Sequence, residues 1–266
     1  MAAHLRPLDG HGDDDGGHGD GHGNGPRIGG AGARGRRPSS SRLATLVRPA
    51  LMLVAFAIVL WLLLVATGRL LTHTGPASPL QRADLRVDRW LAAHRSAFWN
   101  SSTHWATLGA ETTTVLAVGV VAAAVFWWRT RTWIASGFLA VAVIGEVSIF
   151  VCTTLLVERH RPGVPRLDSA PPTSSFPSGH TAASVALYAG IAVAAFAVGA
   201  PGWLRRLLVV IAVVAPVLVA TSRLYRGMHF PTDVVAGALL GLAWVLACRA
   251  VLLSRPHRRT SAGRPA

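Results

Sequence analysis

Residues 49–68 read PALMLVAFAIVLWLLLVATG, twenty positions without a charge, opened by a proline whose fixed φ suits the first turn of a helix. A bilayer's hydrocarbon core is about 30 Å thick, and about 20 apolar residues rising 1.5 Å each will cross it. This run therefore predicts a membrane-spanning helix. Further runs of the same kind occupy 112–128, 132–157, 181–201, 207–222 and 234–254. Glu146 alone interrupts 132–157, and Arg249 stands near the end of the last run, where a long side chain can snorkel to the interface. Between the first two runs, Leu80, Ala83, Val87, Leu91 and Phe98 fall on one helical face with Trp90, Trp99 and Trp105 close by, the pattern of an interfacial helix. The fold class expected is all-α: a polytopic membrane helical bundle of about six transmembrane helices plus an interfacial helix.

The rest of the composition agrees. Of 266 residues, 51% are hydrophobic and only 14% charged, which excludes a disordered chain and argues against an ordinary soluble enzyme. All 26 basic residues are arginines, against 12 acids, for a net charge of +14. Such a balance can serve nucleic acid, but here the arginines sit mainly beside apolar runs and read as membrane anchors, so no nucleic-acid partner is expected. Cys152 and Cys248 both lie inside apolar runs, which excludes a disulfide framework or a cysteine-ligated zinc site.

Three regions follow. Residues 1–42, dominated by Gly, His, Asp, Arg and Ser, form a disordered cytoplasmic tail because they offer almost nothing to bury. Its histidines, His18 and His22 among them, read as a solvated polar tract rather than a metal site. No charged n-region with a short apolar stretch opens the chain, so no cleaved leader is expected. Residues 43–254 form the six-span domain, and 255–266 a basic cytoplasmic tail. With the N-terminus inside, sixteen of the 26 arginines flank the cytoplasmic face, so both termini are expected in the cytoplasm of a plasma membrane. The loops 158–178 and 222–233 then face the extracytoplasmic side together.

Those loops hold nearly every unusual polar residue of the second half. The clusters are Arg159-His160-Arg161-Pro162, Pro177-Ser178-Gly179-His180, and Ser222-Arg223 with His229 and Asp233. Arginines can form bidentate, charge-assisted hydrogen bonds to phosphate. Ser178 and Gly179 precede an apolar run, so they can start a helix whose free N–H groups point at an anion, glycine permitting close approach. Asp233 lies four residues after His229, with Pro231 suited to a helix start, so its carboxylate could fold back on the imidazole and leave the other ring nitrogen free as a nucleophile. His180 could protonate a leaving oxygen. Taken singly, each histidine also suits an interfacial position with a capping partner. The clusters together favour chemistry on an anion.

This half of the chain resembles the type 2 phosphatidic acid phosphatase superfamily, which includes class A acid phosphatases and vanadium haloperoxidases. Its pattern is Lys-x6-Arg-Pro, Pro-Ser-Gly-His and Ser-Arg-x5-His-x3-Asp. The second part matches at Pro177 to His180 and the third at Ser222, Arg223, His229 and Asp233, while the first matches only at Arg161-Pro162, with Thr154 where the family has lysine. The resemblance implies a lipid phosphate phosphatase acting without metal or other cofactor: His229 as nucleophile forming a phosphohistidine, Asp233 orienting it, and His180 as general acid. It implies that Arg161, Arg223, Ser178 and Gly179 hold the phosphoryl oxygens. Arg159 and Arg226 are further cations beside the site, and Arg159 is the better placed to supply the charge missing at Thr154. A phosphotransferase of the same family and a catalytically weak lipid-binding or scaffold protein are the alternatives; vanadate-dependent halide oxidation fits less well. Glu146, an ionisable group inside an apolar run, is a functional candidate, but about 12 Å below Thr154 along its helix it reads better as the buried partner of an arginine or a hydroxyl.

Overall fold

The computed structural model describes residues 40–74, 78–170 and 172–253, with side chains from Val47 onward. The tails expected at 1–42 and 255–266 lie outside the described residues, apart from the last three positions of the first, which are helical. Eight helices and no strand occur among the described residues: α1 (Ser40–His73), α2 (Pro79–Ala93), α3 (Ala97–Leu108), α4 (Thr112–Thr130), α5 (Ile134–Thr154), α6 (Gly179–Ala197), α7 (Gly202–Tyr225) and α8 (Pro231–Leu252). Six are long and apolar enough to cross a membrane: Val47–His73 of α1, and all of α4 to α8. The protein is a multi-pass membrane protein. Helix ends shift by up to several residues from the sequence reading. Pro49 stands inside α1 rather than at its start, α5 stops at Thr154 rather than at residue 157, and α7 begins five residues early, at Gly202.

The centre of the bundle is α6, packed against α4, α5, α7 and α8. Its buried face is built from small residues, including Ala182, Ala186, Gly190 and Ala194. Without a hydrophobic effect between helices inside lipid, such faces associate by close van der Waals approach. Helix α8 answers with glycines. A Cβ on Gly241 would lie 2.6 Å from the Ala182 carbonyl oxygen, and one on Gly237 would collide with the Ser178 carbonyl. The starts of α6 and α8 are thereby brought together, and with them Ser178, His180, His229 and Asp233.

The segment expected as a single interfacial helix forms two, each capped by a serine. Ser78 accepts from Gln81 N at 3.1 Å and Ser96 from Trp99 N at 3.3 Å. Leu80, Val87, Trp90, Phe98, Trp99 and Trp105 face outward, whereas the buried residues of α2 are Asp84 and Asp88 and those of α3 are Thr103 and Thr107. In a membrane protein this polarity is physically consistent, since the apolar stripe meets lipid while polar side chains meet the polar end of the bundle. Arg95 locks the break between the helices, its guanidinium donating to the carbonyls of Tyr225 at 3.1 and 2.9 Å and Pro165 at 2.7 Å.

Candidate active site

The site lies at the end of the bundle where α5 and α7 finish and α6 and α8 begin. Main-chain bonds tie its loops together: Leu167 N to Arg226 O at 3.1 Å, Ser175 N to Arg159 O at 2.9 Å, and Ser178 N to Asp233 O at 2.9 Å. The three clusters picked out in the sequence thus share one region.

His229 is at its heart and is buried. Its Nδ1 lies 2.7 Å from the Ser175 carbonyl oxygen. A carbonyl can only accept, so Nδ1 carries the hydrogen and Nε2 keeps its lone pair. Burial first, then the positive charges of Arg161 and Arg223, hold the imidazole well below its ordinary pKa, against the pull of the Ser175 carbonyl. His229 is therefore a neutral base whose Nε2 faces the Arg161 guanidinium at 3.4 Å. His180, on the first turn of α6, is near enough to add to the same electrostatic effect.

The expected His229–Asp233 hydrogen bond is not formed. Asp233 Oδ2 stands 3.9 Å from Nδ1 and instead accepts from Phe230 N at 2.9 Å, as the carboxylate of a capping box at the start of α8. Its other oxygen pairs with Arg159. The helix N-terminus has claimed the carboxylate, and a main-chain carbonyl from the neighbouring loop has taken over the imidazole.

Arg159 also differs from its expected substrate-facing place. Its guanidinium binds Asp233, Thr232 Oγ1 at 2.7 Å and Asp84 Oδ2 at 3.0 Å, and lies over the Phe230 ring, 4.4 Å from its centroid. Two carboxylates in the interior outcompete an open site for this cation. Thr154 contributes nothing there either, its hydroxyl bonding back to Val151 O at 2.8 Å.

The remaining arginines divide by occupancy. Arg161 donates to Met228 O at 2.7 Å, while its Nε has no partner among the described residues. Burial pulls its pKa below the ordinary guanidinium value, partly offset by Asp233. Arg223 uses one nitrogen on Asp168 Oδ2 at 3.0 Å, and its Nε is likewise unpartnered. Arg226, by contrast, is saturated: it chelates Asp168 at 2.8 and 2.5 Å and donates to Asn100 O at 3.0 Å, Thr103 Oγ1 at 3.2 Å and Leu167 O at 3.3 Å. Burial raises the Asp168 pKa, but Arg226 and Arg223 outweigh it and hold the carboxyl below its usual range. Arg161 and Arg223 thus keep an unpartnered Nε, as Arg159 also does, and each spends only one terminal nitrogen on the protein, whereas Arg226 is saturated.

Ser178 is fully buried, its hydroxyl 3.0 Å from Thr181 Oγ1. The hydrogen on Gly179 is required by packing, since a Cβ there would lie 2.6 Å from the Phe150 ring. Glu146 is buried in α5 with neither oxygen bonded among the described residues, so the arginine or hydroxyl expected beside it is absent there. Asp84 and Asp168 were not singled out by the sequence. Asp84 could have been suspected, because an acid at Asp84 and another at Asp88 put two carboxylates on one helical face.

On the other side of Asp84 and Thr232 is an apolar groove of about 440 Å³ between α1, α2 and α8, lined by Leu71, Leu80, Val87, Phe176, Val235 and Leu239 among others.

The profile of the PAP2 superfamily matches residues 131–256. Phosphatidylglycerophosphatase B of Bacillus subtilis (strain 168) is 33% identical over 172 residues, covering 61% of this chain and 80% of that protein. Undecaprenyl-diphosphatase of Sulfolobus acidocaldarius is 33% identical over 108 residues, covering 41% of this chain, which spans about half (48%) of that relative's length. Among solved structures, a transmembrane PAP2 type phosphatidylglycerolphosphate phosphatase from Bacillus subtilis superposes with a TM-score of 0.61 at 25% identity, over 74% of this chain and 94% of that one. With four-fifths of one curated relative covered at this identity, the chain, whose buried His229 sits among Arg161 and Arg223, belongs to the PAP2 superfamily.

Proposed function

We propose that this protein is an integral membrane phosphatase that hydrolyses lipid phosphate monoesters or diphosphates through a phosphohistidine intermediate. The observation that carries this reading is the state of His229: neutral, with Nδ1 committed to Ser175 and Nε2 turned toward a guanidinium with spare donors. Nε2 attacks phosphorus as the bond to the leaving oxygen breaks, and His180 passes a proton to that oxygen. Water then attacks the phosphohistidine, releasing inorganic phosphate and restoring the imidazole. Arg161 and Arg223 hold the equatorial oxygens, the preorganised charge on which phosphoryl transfer chiefly depends. No metal takes part.

The apolar groove beside the site supports an amphiphilic substrate whose tail stays in lipid. Both relatives are named for lipid phosphates, one a phosphatidylglycerophosphate and the other a polyprenyl diphosphate. The arginine distribution supports cytoplasmic termini and a site on the outer side. In a Cys152→Ser background, Thr173→Cys in the site loop then reacts with an impermeant thiol reagent in intact cells, and Thr132→Cys, in the turn between α4 and α5, does not. The reverse pattern would put the site in the cytoplasm.

The test of the activity offers phosphatidic acid, phosphatidylglycerol phosphate and a polyprenyl diphosphate to the detergent-solubilised protein in excess EDTA. Phosphate release sustains the reading, and its abolition by chelation with recovery on adding magnesium refutes the metal-free mechanism. Labelled phosphate reappearing on a second lipid would make the protein a phosphotransferase. One observation favours a catalytically weak binding protein: neither Thr154 nor Arg159 supplies the charge of the family's lysine. The absence of both release and transfer would select it.

A further inference from the structure

We propose that Asp84, on α2, is a positioning residue for phosphoryl transfer that turns Arg159 inward and leaves a net negative charge behind His229. This rests on the phosphohistidine reading above.

Asp84 is buried and accepts from three donors: Arg159 at 3.0 Å, Thr232 N at 3.2 Å and Thr232 Oγ1 at 2.5 Å. Thr232 is the residue before Asp233 in the first turn of α8, so a carboxylate from α2 ties down the helix start that carries Asp233 and follows His229. The placement also suits that helix terminus, where N–H groups and the macrodipole favour an anion.

The charges add up in a useful way. Arg159 is shared between Asp84 and Asp233 with side chains almost wholly buried, 3% and 0% exposed for the two acids. Within this trio two carboxylates and one guanidinium leave one net negative charge, on the side of the ring opposite Nε2 and Arg161, with Asp233 Oδ2 3.9 Å from His229 Nδ1. In the ground state His229 is neutral and gains little from it. When Nε2 bonds to phosphorus, Nδ1 keeps its hydrogen and the ring becomes cationic as the leaving oxygen takes the electron pair of its broken bond. The negative charge then acts on a cation in a poorly screened interior. Without Asp84, Arg159 and Asp233 cancel, and that counter-charge is gone. An interaction made only in the transition state appears in kcat and not in KM.

The experiment compares full-length wild type with Asp84→Asn, Asp84→Glu and Thr232→Val in detergent, measuring phosphate release from phosphatidic acid and the affinity for orthovanadate by vanadium NMR. Asp84→Asn is expected to lower kcat 10-fold or more, shift KM less than 2-fold and weaken orthovanadate binding 10-fold, with Asp84→Glu recovering at least half of kcat. Unchanged kcat in Asp84→Asn, or a loss carried by KM, overturns the assignment. If Asp84→Asn does not fold, Thr232→Val decides, since it keeps every charge and removes the hydroxyl that bridges Asp84 and Arg159: a 3-fold fall in kcat at constant KM supports the proposal, and wild-type kcat overturns it. If the wild type releases no phosphate, the phosphatase reading falls and orthovanadate alone judges Asp84. Weaker binding by Asp84→Asn then sustains its positioning role at the phosphoryl site, equal binding overturns it, and no binding by the wild type removes both.

Discussion

His229 Nδ1 donates to the Ser175 carbonyl oxygen at 2.7 Å, and the acceptor is main chain. No side-chain substitution can remove that acceptor, so the tautomer of His229 belongs to the path of the loop and survives replacement of Asp233. Asp233 is left with other duties, capping α8 and sharing Arg159. A loss of rate on replacing Asp233 would accordingly report lost charge and not a flipped ring.

The first prediction concerns the two histidines. His229→Ala is expected to reduce phosphate release to the level of buffer, since Nε2 is the nucleophile of the proposed reaction. His180→Ala should cost about 10²- to 10⁴-fold with an alkyl leaving group and far less with an aryl phosphate, whose oxygen leaves without a proton. Parallel assays on both substrate types check this. Near-normal turnover by His229→Ala would end the mechanism.

A second prediction follows from the neutral state of His229. Because burial and the flanking arginines depress its pKa, the acid limb of kcat/KM should lie well below pH 6.5, where the free imidazole titrates. Arg161→Gln removes a positive charge that lowers the pKa, so the limb should move to higher pH while activity falls. Burial, the larger cause, remains, so the limb stays below its unperturbed position. A pH–rate profile of the pair reads the shift; movement to lower pH would contradict the assignment.

Arg223 and Arg226 should separate by readout. Arg226 spends its donors on Asp168, Asn100, Thr103 and Leu167, and removing it strips these part-buried acceptors of that donor while Asp168 keeps Arg223. Arg226→Ala is expected to cost about 2 kcal/mol of stability, as losing hydrogen bonds from a charged donor does. Arg223→Ala should be milder in melting temperature yet reduce kcat/KM about 100-fold, because its spare donors serve the phosphoryl group. Thermal unfolding and kinetics on the same preparations test the division.

Asp88 gives a prediction in stability alone. It is buried with neither oxygen bonded among the described residues, and burial, then Asp84 and Asp233, push its pKa to about 7 against the opposing pull of Arg159. The unfolded chain loses this proton near pH 4 and the folded protein near 7, so between those values the folded state holds more protons and stability falls as pH rises. Asp88→Asn removes that penalty. Its melting temperature should exceed the wild type's by a few degrees at pH 7.5 and by nearly nothing at pH 4. A gain that is the same at both pH values would rule this cause out.

The spans were legible because hydropathy over twenty residues is a sum, and sums survive local exceptions such as Pro49 and Glu146. So was the meeting of Arg161, Ser178, His180, Arg223, His229 and Asp233, since their loops had to lie at one end of an even number of crossings. What could not be read was pairing. Arg159 beside Arg161 looks substrate-facing until Asp84 arrives from 75 positions upstream, and local spacing carries no information about an acid so far away. The stripe of Leu80, Val87 and Phe98 was seen correctly as one face, but its periodicity is the same whether that face meets lipid or core. Only the burial of Asp84, Asp88, Thr103 and Thr107 on the opposite side decides it.

Gly237 presses on the Ser178 carbonyl with no side chain between them, and Ser178 N in turn binds Asp233 O. The distance between the two halves of the site is therefore set by a hard stop of main chain on main chain, not by springs of packed side chains. The working gap of the site is then written into the polypeptide backbone itself.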